Sequence, residues 1–180
     1  MTGRLSPRAG RRGAAPGTGR LAPGRGRRFG IAVSRFNDRI TRRLLEAAVE
    51  ALHEAGVAPN ALTVIEVPGA FELPLAAQTL CRTGRYDAVI CLGAVIRGDT
   101  PHFDLIAGAT AQGIMNVGLA EGCPVIFGVL ATDTMAQALA RVDPHGMNRG
   151  REAAETALEM AGVMRQLQGR KGRRSDAVTE

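Results

Sequence analysis

Residues 98–104 read Gly-Asp-Thr-Pro-His-Phe-Asp and follow directly on the apolar run 87–96 and Arg97. Gly98 permits backbone conformations and close approaches that other residues resist. The N–H groups around Asp99 and Thr100 precede a helical pattern, which makes them donors for an anion, and Arg97 adds positive charge nearby. His102 has an ordinary pKa near neutrality and so suits giving and taking protons; Asp104, two residues on, is placed to orient it. Two features count the other way. The Asp99 carboxylate repels phosphate unless it points away, and a histidine at a helix start also serves as a cap or core residue.

Three other short stretches carry candidate chemistry. Phe36, in Ser-Arg-Phe-Asn-Asp (34–38), either packs back on the next helix or offers a face for a planar ligand. Glu72, in Val-Pro-Gly-Ala-Phe-Glu (67–72), is favoured at a helix start by the dipole alone, and it can also accept hydrogen bonds from a polar ligand. Phe127 lies within the apolar run 124–132, where a core position is the plain reading; Arg141 closes a short helical pattern and can grip phosphate through two parallel bonds. The sequence holds no glycine-rich phosphate loop, no dinucleotide fingerprint, no Ser-His-Asp order and no metal-ligand spacing.

These stretches occupy equivalent places in a repeating order of elements. Apolar runs at 29–34, 61–67, 87–96 and 124–132 read as strands, the first as one buried on both faces. Between and after them, three- and four-residue apolar spacing predicts helices at about 38–55, 73–83, 103–121, 134–141 and 149–167. Small residues on the third helix, Ala109 and Gly113 among them, suit close approach to another element or subunit. Strand–helix alternation with continuous apolar strands predicts a three-layer αβα sandwich around a four-stranded parallel sheet. Ligands in such sheets bind beyond the carboxyl ends of the strands, which are the junctions singled out above.

The 180 residues suffice for one domain with a substantial core. The net charge of +6 hides an uneven split: 1–28 holds eight arginines and no acid, 169–180 carries +2, and 29–168 is left at −4. Residues 1–28, rich in Arg, Gly and Pro, and the basic segment 169–180 read as disordered tails on a domain at 29–168. The first tail lacks the apolar core of a secretory signal, and a start codon set too far upstream accounts for it equally well. A nucleic-acid role for the tails is disfavoured by the acidic domain and the absence of aromatics among the arginines. No run reaches the ~18 apolar residues of a membrane span, and Cys81, Cys91 and Cys123 fit a reducing, cytoplasmic setting.

Taken in order, "IAVSRFND", "VPGAFELP", "GAVIRGDTPHFD", "GCPVIFGVLATDT" and "NRG" at 148–150 resemble the motifs of the 6,7-dimethyl-8-ribityllumazine synthase family over about 30–167. The resemblance implies a flavodoxin-like fold and a condensation of 5-amino-6-(D-ribitylamino)uracil with 3,4-dihydroxy-2-butanone 4-phosphate, with no metal or organic cofactor. It implies that Phe36 stacks on the pyrimidine and that Ala70, Phe71 and Glu72, with the backbone of Ala94, Val95 and Ile96, hold the ribityl chain and ring substituents. Asp99 and Thr100 would form the phosphate turn and His102 would transfer protons. Phe127 and Arg141 would reach the site from a neighbouring subunit, so the enzyme would be a homo-oligomer. Shell-forming members carry a "GTKAGNKG"-like bend where this chain has "VDPHGMNRG", which favours a pentamer and leaves a decamer or shell open. A non-catalytic flavin- or lumazine-binding paralogue is the alternative; it would be expected to lose His102 or Arg141, and both are present.

Overall fold

The computed structural model describes residues 22–175, with side chains through residue 168; the tail assignments at 1–21 and 176–180 lie outside the described residues. Four strands, β1 (Phe29–Ser34), β2 (Leu62–Val67), β3 (Ala88–Ile96) and β4 (Val125–Thr132), form one sheet in the order β2-β1-β3-β4, every pair parallel. The helices are α1 (Asp38–Glu54), α2 (Leu73–Arg82), α3 (His102–Glu121), α4 (Met135–Ala140) and α5 (Arg149–Ser175). This is the three-layer αβα arrangement with the flavodoxin-like strand order.

Each strand's alternation divides the core between two layers. Phe29, Ile31 and Val33 of β1 face α1 and α5 with Leu44, Leu52 and Leu158, whereas Ala32 faces α2 and α3 with Leu73, Ala77 and Ile114. The central strands β1 and β3 are buried on both faces, which explains their unbroken apolar runs. β2 has the same composition, yet Val64, Ile65 and Glu66 are exposed because it forms an edge of the sheet.

Local signals fix the element ends. Asp38 occupies the favoured first turn of α1, and Gly56, at φ +88°, lets the chain leave that helix in the left-handed region. Thr134 Oγ1 caps α4 by accepting from Gln137 N at 3.1 Å, and Asn148 Oδ1 does the same for α5 with Arg151 N at 3.2 Å. Two 3₁₀ turns, Pro59–Ala61 and Ala70–Glu72, lead into β2 and α2. Gly113 of α3 does meet another element: a Cβ there would stand 2.7 Å from Pro74 Cγ on α2.

The folded part begins before residue 29. Gly24 N donates to Ala55 O at 2.9 Å, and the nearly buried Arg27 donates to Leu158 O at 2.6 Å, tying residues 24–28 to α1 and α5. At the other end α5 runs past residue 168 to Ser175.

Candidate active site

The order β2-β1-β3-β4 makes the chain leave β1 toward one edge, return, and continue from β3 toward the other. The carboxyl ends of β1 and β3 therefore border the crevice where the direction of winding reverses. The loops at this crevice are joined to one another. Arg35 N and Phe36 N donate to Val67 O and Pro68 O at 2.8 and 3.1 Å, binding the loop after β1 to the loop after β2. Asn37, the one non-glycine at positive φ among the described residues, donates from Nδ2 to Ala94 O at 2.9 Å and binds the same loop to β3.

That frame settles where the sequence candidates stand. Phe36 is 70% exposed, so its ring is not packed back on α1 and its faces are open at the crevice. Ala70 is buried, and the adjacent Phe71 is exposed. Glu72 accepts from Gly69 N through Oε2 at 2.9 Å, which fixes the turn and leaves Oε1 without a protein donor among the described residues. Ala94 is buried, and Val95 and Ile96 are half-buried as β3 emerges from the core. Asp99 and Thr100 are exposed in the turn that follows, and His102 is exposed at the first position of α3. Among the described residues, the N–H groups of Gly98, Asp99 and Thr100 donate to no protein acceptor, and the His102 imidazole has no hydrogen-bond partner. The turn therefore presents unclaimed donors and a free imidazole on the same short segment.

Two sequence expectations are corrected here. Asp104 does not orient His102: its oxygens accept from Arg97 Nη1 and Nη2, both at 3.0 Å. Nor is Arg97 a free positive charge for an anion. Its Nε donates to Asp133 Oδ1 at 2.8 Å, and its guanidinium lies 4.0 Å from the centre of the Phe103 ring. The two carboxylates raise the Arg97 pKa still further, and the Arg97 hydrogen bonds hold Asp104 below the ordinary carboxylate value. A bidentate partner seven residues away outcompetes a neighbour that merely stands close in sequence.

Phe127 and Arg141 belong to a different place. They line a groove of about 510 Å³ along the β4 edge, between that strand and the start of α5. Phe127 is 47% exposed, so it is not the core residue that its strand position suggests. Its neighbours in the groove include Arg149, Glu152 and Thr156, and none of the β1–β3 crevice residues lines it. Arg149 N donates to Arg141 O at 3.0 Å, setting the two arginines side by side at the backbone.

Arg149, which stands in "NRG", joins Phe127 and Arg141 in the groove lining although sequence reasoning does not single it out. A signal was available: a cation in the first turn of a helix opposes the dipole and calls for a compensating reason. Glu152 supplies part of that reason by pairing with Arg149 in the groove wall.

Fold and geometry together define a parallel α/β protein with a switch-point crevice at the carboxyl ends of its strands and a cationic groove at one sheet edge. The chain belongs to the 6,7-dimethyl-8-ribityllumazine synthase family, which it matches over residues 26–165. It is 50% identical over 142 residues to the 6,7-dimethyl-8-ribityllumazine synthase of Salinibacter ruber, covering 79% of this chain and 91% of that protein. It is also 50% identical over 140 residues to the enzyme of the same name from Protochlamydia amoebophila, covering 78% of this chain and 81% of that one.

Proposed function

We propose that this chain condenses 5-amino-6-(D-ribitylamino)uracil with 3,4-dihydroxy-2-butanone 4-phosphate to 6,7-dimethyl-8-ribityllumazine in riboflavin biosynthesis. The ring amine adds to the ketone and water leaves to give an imine. Tautomerisation and loss of inorganic phosphate follow, and ring closure expels a second water. Each of these steps moves protons, and none changes the overall oxidation state of the two substrates taken together.

In this reading Phe36 stacks on the pyrimidine. Ala70, Phe71 and Glu72, with the backbone of Ala94, Val95 and Ile96, hold the ribityl chain and ring substituents. The unclaimed N–H groups beside Asp99 and Thr100 receive phosphate, and His102 carries protons between the amine, the ketone-derived carbons and the leaving groups. Both substrates are reactive once aligned, so positioning supplies much of the acceleration. Phe127 and Arg141 act on a neighbouring copy's crevice, and Arg149 beside them adds a second cation for the phosphate.

The observation that carries this reading is the separation of the two sets. The crevice holds the ring, the turn and the imidazole, while the groove holds the arginines and Phe127, and no residue is common to both. A site assembled from one copy's crevice and another copy's groove reunites them. These grounds support a homo-oligomer; the 142–150 bend favours a pentamer, and the free thiols suit the cytoplasm, where they stay reduced. Helix α3 supports such an assembly: it is apolar around its circumference, and Leu105, Met115 and Leu119 are left exposed on it, with Leu119 at 77%. Among the described residues no helix is long and apolar enough to cross a membrane.

The test is to mix the purified protein with both substrates and follow lumazine fluorescence and released phosphate. The two products should rise together in equal amounts. Tight lumazine binding without turnover would instead support a storage or signalling protein.

A further inference from the structure

Arg97 and Asp104 are the two ends of the segment that carries the phosphate turn and His102, and they are joined across it by a pair of hydrogen bonds, both at 3.0 Å. The backbone is fixed at the same places. Arg97 N donates to Thr132 O at 2.9 Å, and Asp104 N donates to Pro101 O at 3.1 Å. Between them, Gly98, Asp99 and Thr100 have no main-chain hydrogen bond of their own among the described residues. Left to itself, such a stretch has nothing to keep its N–H groups converging on one point.

We propose that Arg97 is a positioning residue for the condensation, a clamp that sets the shape of the 98–102 turn, and that it does not itself bind phosphate. The inference rests on the function proposed above for this site. Three of the five guanidinium N–H groups are engaged, on Asp104 and on Asp133. One face of the plane lies over Phe103 at 4.0 Å. The cluster of one cation and two carboxylates carries a net −1, the wrong sign for an anion site. The contact with Asp133 also anchors the turn to the junction between β4 and α4, so both ends of the clamp rest on rigid elements. Preordering a loop in its binding conformation removes ordering cost from the binding step, and this is the service the clamp provides to the phosphorylated ketone.

The clamp and direct-ligand roles predict opposite results for Asp104→Asn. A direct phosphate ligand would be released by that change, and affinity for the phosphorylated ketone would stay the same or improve. A clamp would be broken: kcat/KM for the phosphorylated ketone should fall on the order of 10-fold, while KM for the pyrimidine holds, because the Phe36 side of the crevice is untouched. Asp104→Glu, which keeps a carboxylate, should recover part of the loss, and Arg97→Lys, which keeps the charge but loses the planar fork, should not. Asp133→Asn should give a smaller loss of the same kind, and native mass measurement should show wild-type assembly for each variant.

Amide hydrogen exchange of Asp104 and Leu105, whose N–H groups both donate to Pro101 O, gives a readout that needs no turnover. Exchange at these two amides should quicken on the order of 10-fold in Asp104→Asn and stay at the wild-type rate elsewhere. Unchanged exchange, or faster exchange with an unchanged KM for the phosphorylated ketone, would overturn the clamp. If the wild-type protein made no lumazine, the proposed function would fail, and the exchange comparison would still decide whether Arg97 shapes the turn.

Discussion

Gly150 of α5 lies against the backbone of Leu44 on α1: a Cβ at position 150 would come within 2.9 Å of Leu44 Cα and 3.0 Å of Ala47 Cβ, and it would also strike the Leu44 carbonyl oxygen. This contact lets the two helices of one layer approach closely, and it sets where α5 begins. Because Arg149 is the preceding residue, the same contact places a cation in the groove beside Arg141. Gly150→Ala should therefore destabilise the fold by about 1–3 kcal/mol through overpacking against an unyielding backbone. Urea unfolding of the two proteins checks this; an unchanged midpoint would show that α5 can slide at no cost.

His102→Ala should slow product formation about 10- to 100-fold, at or below the lower end of general acid–base effects, since alignment of reactive substrates supplies the rest. The exposed imidazole makes no hydrogen bond among the described residues, so assembly should be unaffected. Single-turnover rates with native mass measurement check both parts, and an unchanged rate would remove His102 from the chemistry.

Arg141→Ala should raise KM for the phosphorylated ketone about 10- to 100-fold, the loss expected when a charge-assisted hydrogen bond to an anion is removed. Its Nη1 is otherwise occupied only by Gln137 O at 3.0 Å, a contact that leaves most of the guanidinium available to a neighbour. Steady-state kinetics with each substrate varied in turn checks this. An equal effect on both substrates would argue against a phosphate grip.

The Arg97–Asp104 pair also sets an acid limit. Asp104 is held below the ordinary carboxylate value chiefly by its hydrogen bonds to Arg97. Because the folded value is the lower one, the stabilisation is fully present above the unfolded carboxylate's pKa of about 4 and is lost as pH falls through the folded value. Exchange protection of the Asp104 and Leu105 amides, corrected for the intrinsic pH dependence, should thus be constant from neutrality to about pH 5 and decline only below about pH 4. Loss near pH 6 would mean that some other group controls the turn.

The three thiols should differ sharply in reactivity. Cys91 is wholly enclosed in β3, and burial pushes its pKa up to about 12. Cys81 and Cys123 lie near each other where the end of α2 meets the turn after α3, and their mutual influence pushes the pKa of the first up and of the second down. Alkylation followed by peptide mass spectrometry should find Cys123 modified first and Cys91 only on unfolding. Labelling of Cys91 at the rate of the others would contradict its burial.

How much of this was legible in the sequence depends on whether a feature is local. The central strands were legible because burial on both faces leaves an unbroken apolar run, as in Phe29–Ser34 and Ala88–Ile96. The edge position of Leu62–Val67 was not, because its composition is the same and only sheet order distinguishes it. Proximity in sequence suggested that Asp104 serves His102, but the fold turns it toward Arg97, a pairing that no periodic rule anticipates. Phe127 looked like core because its strand is apolar; its exposure follows from β4 being the other edge of the sheet. Gly150 carries no local signal, since its meaning lies in a helix more than a hundred residues earlier in the chain.

The central claim is that crevice and groove act together across copies, and co-expression of His102→Ala with Arg141→Ala tests it most directly. Each variant alone, assayed at low phosphorylated ketone, should be strongly impaired. In randomly mixed oligomers about a quarter of the shared sites regain both intact halves, so activity should rise to about a quarter of wild type. A mixture no more active than the average of its two parents would contradict a site built between copies.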